Sequence, residues 1–117
     1  VALQLKLRLR GRDSFIELNR RGKLFKSGDL RIKIAKNGLD LSRFGFAIPK
    51  KRFNAVKRNR IKRVLSEWIR NNLGVFPLGF DYLIKINYKI KSVDMDIHSF
   101  VNDLEGFTAH FKGIDNG

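Results

Sequence analysis

Phe44-Gly45-Phe46-Ala47-Ile48-Pro49-Lys50-Lys51-Arg52-Phe53-Asn54-Ala55-Val56-Lys57-Arg58-Asn59-Arg60-Ile61-Lys62-Arg63 is the stretch from which the rest of the chain can be read. Arg43 to Ile48 forms an apolar run closed by Pro49, which cannot donate to a ladder, so it reads as a strand. From about Asn54 the period changes. Ile61, Val64, Leu65, Trp68 and Ile69 recur at i, i+3, i+4, i+7 and i+8, the stripe of one buried helix face. Gly74 and Pro77 end that helix near Leu73. Five of the seven residues Lys57–Arg63 are cationic. Asn59, Lys62, Arg63 and Arg70 project away from the stripe, and Arg58 and Arg60 flank it. Cations in a first turn oppose the helix dipole at about 0.3–1 kcal/mol each. A costly arrangement of this kind points to a polyanion that offsets it, because helix N-termini and Arg or Lys side chains both bind phosphate. Lys50, Lys51 and Arg52 extend the cationic surface upstream. Asn59 can both donate to and accept from a phosphate or a 2′-OH.

The whole composition agrees. The 117 residues suffice for one domain, 1–117, with a single core, and 43% are hydrophobic, so a folded chain is expected. The net charge is +14, which calls for an anionic partner. The charge is uneven: residues 1–91 hold 24 Lys and Arg against 6 acids, whereas residues 92–117 hold Lys112 against 5 acids. The acidic end should therefore face away from the polyanion. The chain has no cysteine, which excludes disulfides and thiolate metal sites and suits a reducing cytoplasm. No apolar run reaches the ~20 residues of a membrane span, and no signal peptide is visible. Because the sequence opens on Val1, residues are expected to precede it.

Outward from the central stretch, Leu3, Leu5, Leu7 and Leu9 alternate with polar residues, as in a strand or an extended arm. Asp13 or Ser14 can cap a short helix from about Ser14 to Arg21, stopped by Gly22. Leu30, Ile32 and Ile34 alternate with Arg31 and Lys33, and Asn37-Gly38 marks a turn. Phe80, Tyr82, Ile84, Ile86 and Tyr88 form a further strand. A last helix is expected from about Val93 to Lys112, with Asp94 and Asp96 in its first turn and Gly106 inside it. The order gives an α+β fold, with three helices on a small central mixed β-sheet. Residues 43–88 form a β-α-β crossover, right-handed by default if its strands are parallel.

Other constellations carry less. Phe15 stands near Arg8, Arg10 and Arg12 and can stack a base, although a core role is the commoner use of phenylalanine. Arg31 and Lys33 share one strand face, which is either a basic platform for a single strand or a plain solvent face. His98 and His110 lack metal-ligand spacing, and Asp94 and Asp96 read as helix-start residues. No nucleophile set or phosphate-cradling glycine loop is present. No catalytic residue and no protein-bound metal is expected.

The central stretch closely resembles the bacterial ribonuclease P protein component. The resemblance rests on a glycine-containing strand, Lys50-Lys51, Asn54-Ala55-Val56 and Arg58-Asn59-Arg60 followed by Lys62-Arg63. Arg8-Leu9-Arg10, Phe15, Gly22 and Gly79-Phe80-Asp81-Tyr82 also fit, so it spans about residues 8–112. It implies a left-handed crossover in place of the default hand. It further implies a protein subunit of ribonuclease P, which pairs with a catalytic RNA to remove the 5′ leader of precursor tRNA in the cytoplasm. The RNA would hold the catalytic Mg²⁺. Lys50, Lys51, Asn54, Arg58, Asn59, Arg60, Lys62 and Arg63 would face the RNA. Arg8, Arg10, Phe15, Arg31 and Lys33 would serve the leader. Asn19 and Lys33 stand where the family often has aromatics, which implies leader binding by charge more than by stacking. Gly11 and Asp13 dilute a stretch that is often more basic. A ribosomal or other structural RNA-binding protein fits the composition but not the motif. A DNA-binding module lacks helix-turn-helix spacing.

Overall fold

The computed structural model describes residues 7–9, 11–87, 89 and 96–113. Its elements are α1 (Arg12–Arg21), β1 (Lys23–Ser27), β2 (Leu30–Lys36), β3 (Arg43–Ala47), α2 (Ala55–Asn71), a 3₁₀ turn (Leu73–Val75), β4 (Phe80–Ile86) and α3 (His98–His110). The four strands form one mixed sheet in the order β1-β2-β4-β3. Both pairings along β1, β2 and β4 are antiparallel, and β3 pairs β4 in parallel. The α+β class with three helices is as the sequence indicates. The β3–α2–β4 unit is the crossover, because parallel neighbours need a long connection between them.

Strand alternation assigns the two faces. Leu30, Ile32 and Ile34 of β2, Phe44 of β3 and Tyr82, Ile84 and Ile86 of β4 point into the main core. There they meet Ile61, Leu65 and Ile69 of α2 and Phe100, Leu104 and Phe107 of α3, all buried. Val64 and Trp68, which complete the apolar stripe, are only half-buried. On the other face, Leu18 of α1 packs with Leu9, Ala35 and Leu83, and Phe15 lies against this smaller cluster. The sheet is thus covered fully on one side and only in part on the other.

β1 has no counterpart in the sequence reading. It pairs with β2 through a two-residue Gly28-Asp29 loop between Ser27 and Leu30, and Gly28 takes the positive φ of 55° that such a loop requires. α3 locks onto this loop: Asp29 N–H donates to the Asp103 carboxylate at 3.0 Å, and Ser27 Oγ donates to the Asp103 carbonyl at 2.6 Å. A Cβ on Gly28 would collide with that carboxylate.

Two helix starts differ from expectation. α1 begins earlier, at Arg12, with Gly11 at its N-cap and no side-chain cap from Asp13 or Ser14. Gly11 has φ 86°, so glycine's freedom sets the entry angle. α3 begins later, at His98. Asp96 stands before the helix, and its carboxylate accepts from His98 N–H at 3.0 Å. β4 ends at Ile86; the expected continuation to Tyr88, the helix start at Val93 and Asp94, and the arm before Leu7 lie outside the described residues.

Candidate nucleic-acid interface

The helix that carries the basic motif is held by its apolar stripe, which leaves its cations outward. Asn54 is its N-cap and accepts from Lys57 N–H at 2.8 Å. That bond offsets part of the penalty of a first turn holding no acid. Lys50, Lys51, Asn54, Asn59, Arg60, Lys62 and Arg63 are all exposed. Arg58 is half-buried, and its guanidinium donates to the Phe53 carbonyl at 2.7 Å. Two motif residues therefore shape the turn as well: Asn54 caps the helix, and Arg58 ties the incoming loop to it.

The cations at Lys62 and Arg63 border a cleft of about 390 Å³. Its opposite wall is Arg8, Leu9 and Phe15, and its floor is Phe44, Gly45 and Phe46 of the edge strand β3. Leu9 N–H donates to the Phe44 carbonyl at 2.7 Å, which docks the chain before α1 onto that edge. Phe15 is half-buried, so it is both a packing residue and a cleft wall. Its ring closes on the strand because Gly45 has no side chain; a Cβ there would lie 2.6 Å from the ring. Buried Ser66 lines the same cleft and had no signal in the sequence beyond its place on the helix. Arg10 lies outside the described residues.

Arg31 and Lys33 do not join that cleft. They stand on the α1 face of the sheet, nearer β1, and both are half-exposed. Arg31 donates to the carbonyls of Gly28 and Leu30 at 2.8 and 2.9 Å. Beside them is Lys85, whose Nζ donates to Asn19 Oδ1 of α1 at 3.0 Å. Burial, and then the charge of Lys33, push the Lys85 ammonium below the usual lysine range. The sequence reading passed over Lys85, although its place between inward-facing Ile84 and Ile86 puts it on the face of Lys33.

Farther along the same face, Asp81 holds Arg43 through two bonds of 2.8 Å and accepts from Asn37 Nδ2 at 3.0 Å. The Asp81 hydrogen bond raises the Arg43 pKa against the opposing effect of burial. This pair fixes the β2–β3 connection to β4. The histidines are peripheral: both are exposed, and His110 Nδ1 lies 2.9 Å from the Gly106 carbonyl.

The family model described as Ribonuclease P matches residues 3–112. The chain belongs to the ribonuclease P protein family. The ribonuclease P protein component of Thermotoga maritima is 36% identical to it over 91 residues, covering 74% of this chain and 78% of that protein. That of Finegoldia magna is 37% identical over 78 residues, covering 67% and 68%. The solved T. maritima RNase P protein superposes with a TM-score of 0.78 at 30% identity, covering 91% of this chain and 98% of that one. The Staphylococcus aureus RNase P protein superposes with a TM-score of 0.75 at 26% identity, covering 86% and 90%. The chain is accordingly a ribonuclease P protein component, a subunit of that endoribonuclease, and RNA binding and tRNA processing follow from the family. No helix among the described residues is long and apolar enough to cross a membrane.

Proposed function

We propose that this ribonuclease P protein binds the catalytic RNA with the exposed cations of the α2 region and guides the 5′ leader of precursor tRNA through the cleft beside α1. The observation that carries this reading is the make-up of the cleft. Lys62 and Arg63 of the RNA-facing set form one wall, and Arg8 and Phe15 of the leader set form the other. A strand lying there would touch both sets at once, which suits a protein working where the catalytic RNA meets its substrate.

In this reading the protein supplies affinity and position, and the hydrolytic step with its Mg²⁺ belongs to the RNA. Cations along α2 neutralise backbone phosphates, Phe15 offers a ring face to a leader base, and Arg31 and Lys33 draw the leader across the sheet. Cytoplasmic action follows from tRNA maturation. The test is reconstitution. Protein alone should leave precursor tRNA intact; with the cognate RNA and Mg²⁺ it should promote cleavage at the 5′ end of the mature tRNA. Site-specific cleavage by RNA-free protein would overturn the division of labour.

A further inference from the structure

We propose that Lys33 and Lys85 together form a phosphate-binding pair that holds one phosphodiester of a single-stranded RNA beside α1. This rests on the leader reading above and names the group recognised. β2 and β4 are antiparallel neighbours in which Lys33 lies opposite Leu83 and Lys85 opposite Arg31. Both lysines therefore leave the same sheet face on a diagonal, within reach of one shared anion across strands about 4.8 Å apart.

Among the described residues, no carboxylate pairs with either lysine. The Lys33 ammonium has no hydrogen-bond or ion-pair partner among the described residues, and Lys85 bonds only the neutral Asn19. Two nearby carboxylates are engaged elsewhere: Asp81 by Arg43 and Asn37, and Glu17 by Arg20 and Arg21. Arg31 and Lys26, in register with Lys85 along the same row, add further positive charge. Two like charges kept close, both half-buried, cost free energy that an anion would return. A phosphodiester can accept from both ammoniums at once, whereas a base cannot relieve the charge.

The neighbours favour a strand over a free nucleotide. Asn19, which orients Lys85, is one helical turn from Phe15, about 6 Å along α1. One nucleotide of an extended strand spans that distance, so a base on Phe15 sets the next phosphate near the lysine pair.

The experiment uses the assembled enzyme and precursor tRNAs whose leader carries a neutral methylphosphonate at one linkage at a time. With the unaltered protein, one linkage should weaken binding about tenfold when neutralised. In Lys33→Met/Lys85→Met that linkage should lose its effect while other sensitive linkages keep theirs. The slope of log affinity against log salt should become shallower by about 0.7, the share of the one phosphate that the variant no longer neutralises. Lys85→Arg, which keeps the charge, should retain sensitivity at the same linkage, and Lys85→Met should not lower the melting temperature of the protein. A double variant that binds precursor as tightly as the unaltered enzyme, or that keeps every linkage effect, would overturn the pair alone. An unaltered enzyme that gains nothing from the leader would overturn both the pair and the leader reading.

Discussion

Gly45 and Gly106 are both glycines inside regular elements, yet their surroundings predict opposite responses to alanine. At Gly45 the new methyl would lie 2.6 Å from the Phe15 ring and 3.2 Å from Leu9 Cβ. Gly45→Ala should cost about 1–3 kcal/mol by overpacking and should displace Phe15 from the cleft. At Gly106 the nearest atom is Ser27 Oγ at 3.5 Å, an ordinary contact. Gly106→Ala should therefore stabilise α3 by about 0.5–1 kcal/mol. Urea denaturation of the two variants checks both signs; a stabilised Gly45→Ala would mean that the ring does not close on the strand. The sequence placed Gly45 in a motif but could not show which side chain needs its absence, since Phe15 is 30 positions away. Phe15 itself was open between core and cleft, and the structure gives it both surroundings. Lys85 escaped notice for a related reason: alternation says which face a residue takes, but not that Asn19 and Lys33 await it there.

At the scale of elements, α2 separates stability from binding along its two faces. Arg60→Ala and Arg63→Ala alter exposed side chains and should leave the melting temperature unchanged while weakening RNA binding and flattening its salt dependence. Leu65→Ala empties a fully buried position and should cost about 2–5 kcal/mol. Trp68→Ala should cost less than a buried tryptophan would, because Trp68 is half-exposed and touches the core edge-on at Phe76, 6.1 Å between ring centroids. Thermal melts and salt titrations of the four variants would show the faces mixed if either arginine proved essential for folding. β4 supplies a pH prediction. Tyr82 is buried and donates to the Pro77 carbonyl at 2.7 Å, and desolvation raises its pKa well above the ordinary tyrosine range. The native state thus keeps a proton that the unfolded chain releases near pH 10, so stability should be full below that pH and fall as pH rises beyond it. Tyr82→Phe should flatten that alkaline loss in denaturation curves recorded across pH. α2, β3 and β4 were readable because each combines a strong period with a stop signal. β1 was not: Leu24 is 43% exposed on the open face and Phe25 turns to α3, so neither alternation nor a helical stripe marks it. The Gly28-Asp29 loop that turns the hairpin was not read as a turn either.

Over the whole molecule, α3 and the basic cleft stand at different ends of the sheet. α3 packs on β1 through Phe25, Phe107 and Phe111, and it carries Asp103 and Glu105. The cleft with Arg8, Lys62 and Arg63 lies at the β3 end. Of the acidic stretch, the described α3 residues Asp103 and Glu105 are absent from the cleft lining. What the sequence could not show is that the two candidate sets meet across one opening, because their residues come from α1, β3 and α2 and only the fold joins them. That meeting is the centre of the account, and its most direct test is a pair of dissociation constants for the assembled enzyme, with precursor tRNA and with mature tRNA, before and after Phe15→Ala. Stacking of one base on an aromatic is worth roughly 1–3 kcal/mol. The account predicts that Phe15→Ala weakens precursor binding by about that amount and leaves mature tRNA binding unchanged. Equal weakening of both substrates, or a lower melting temperature with neither constant altered, would contradict it.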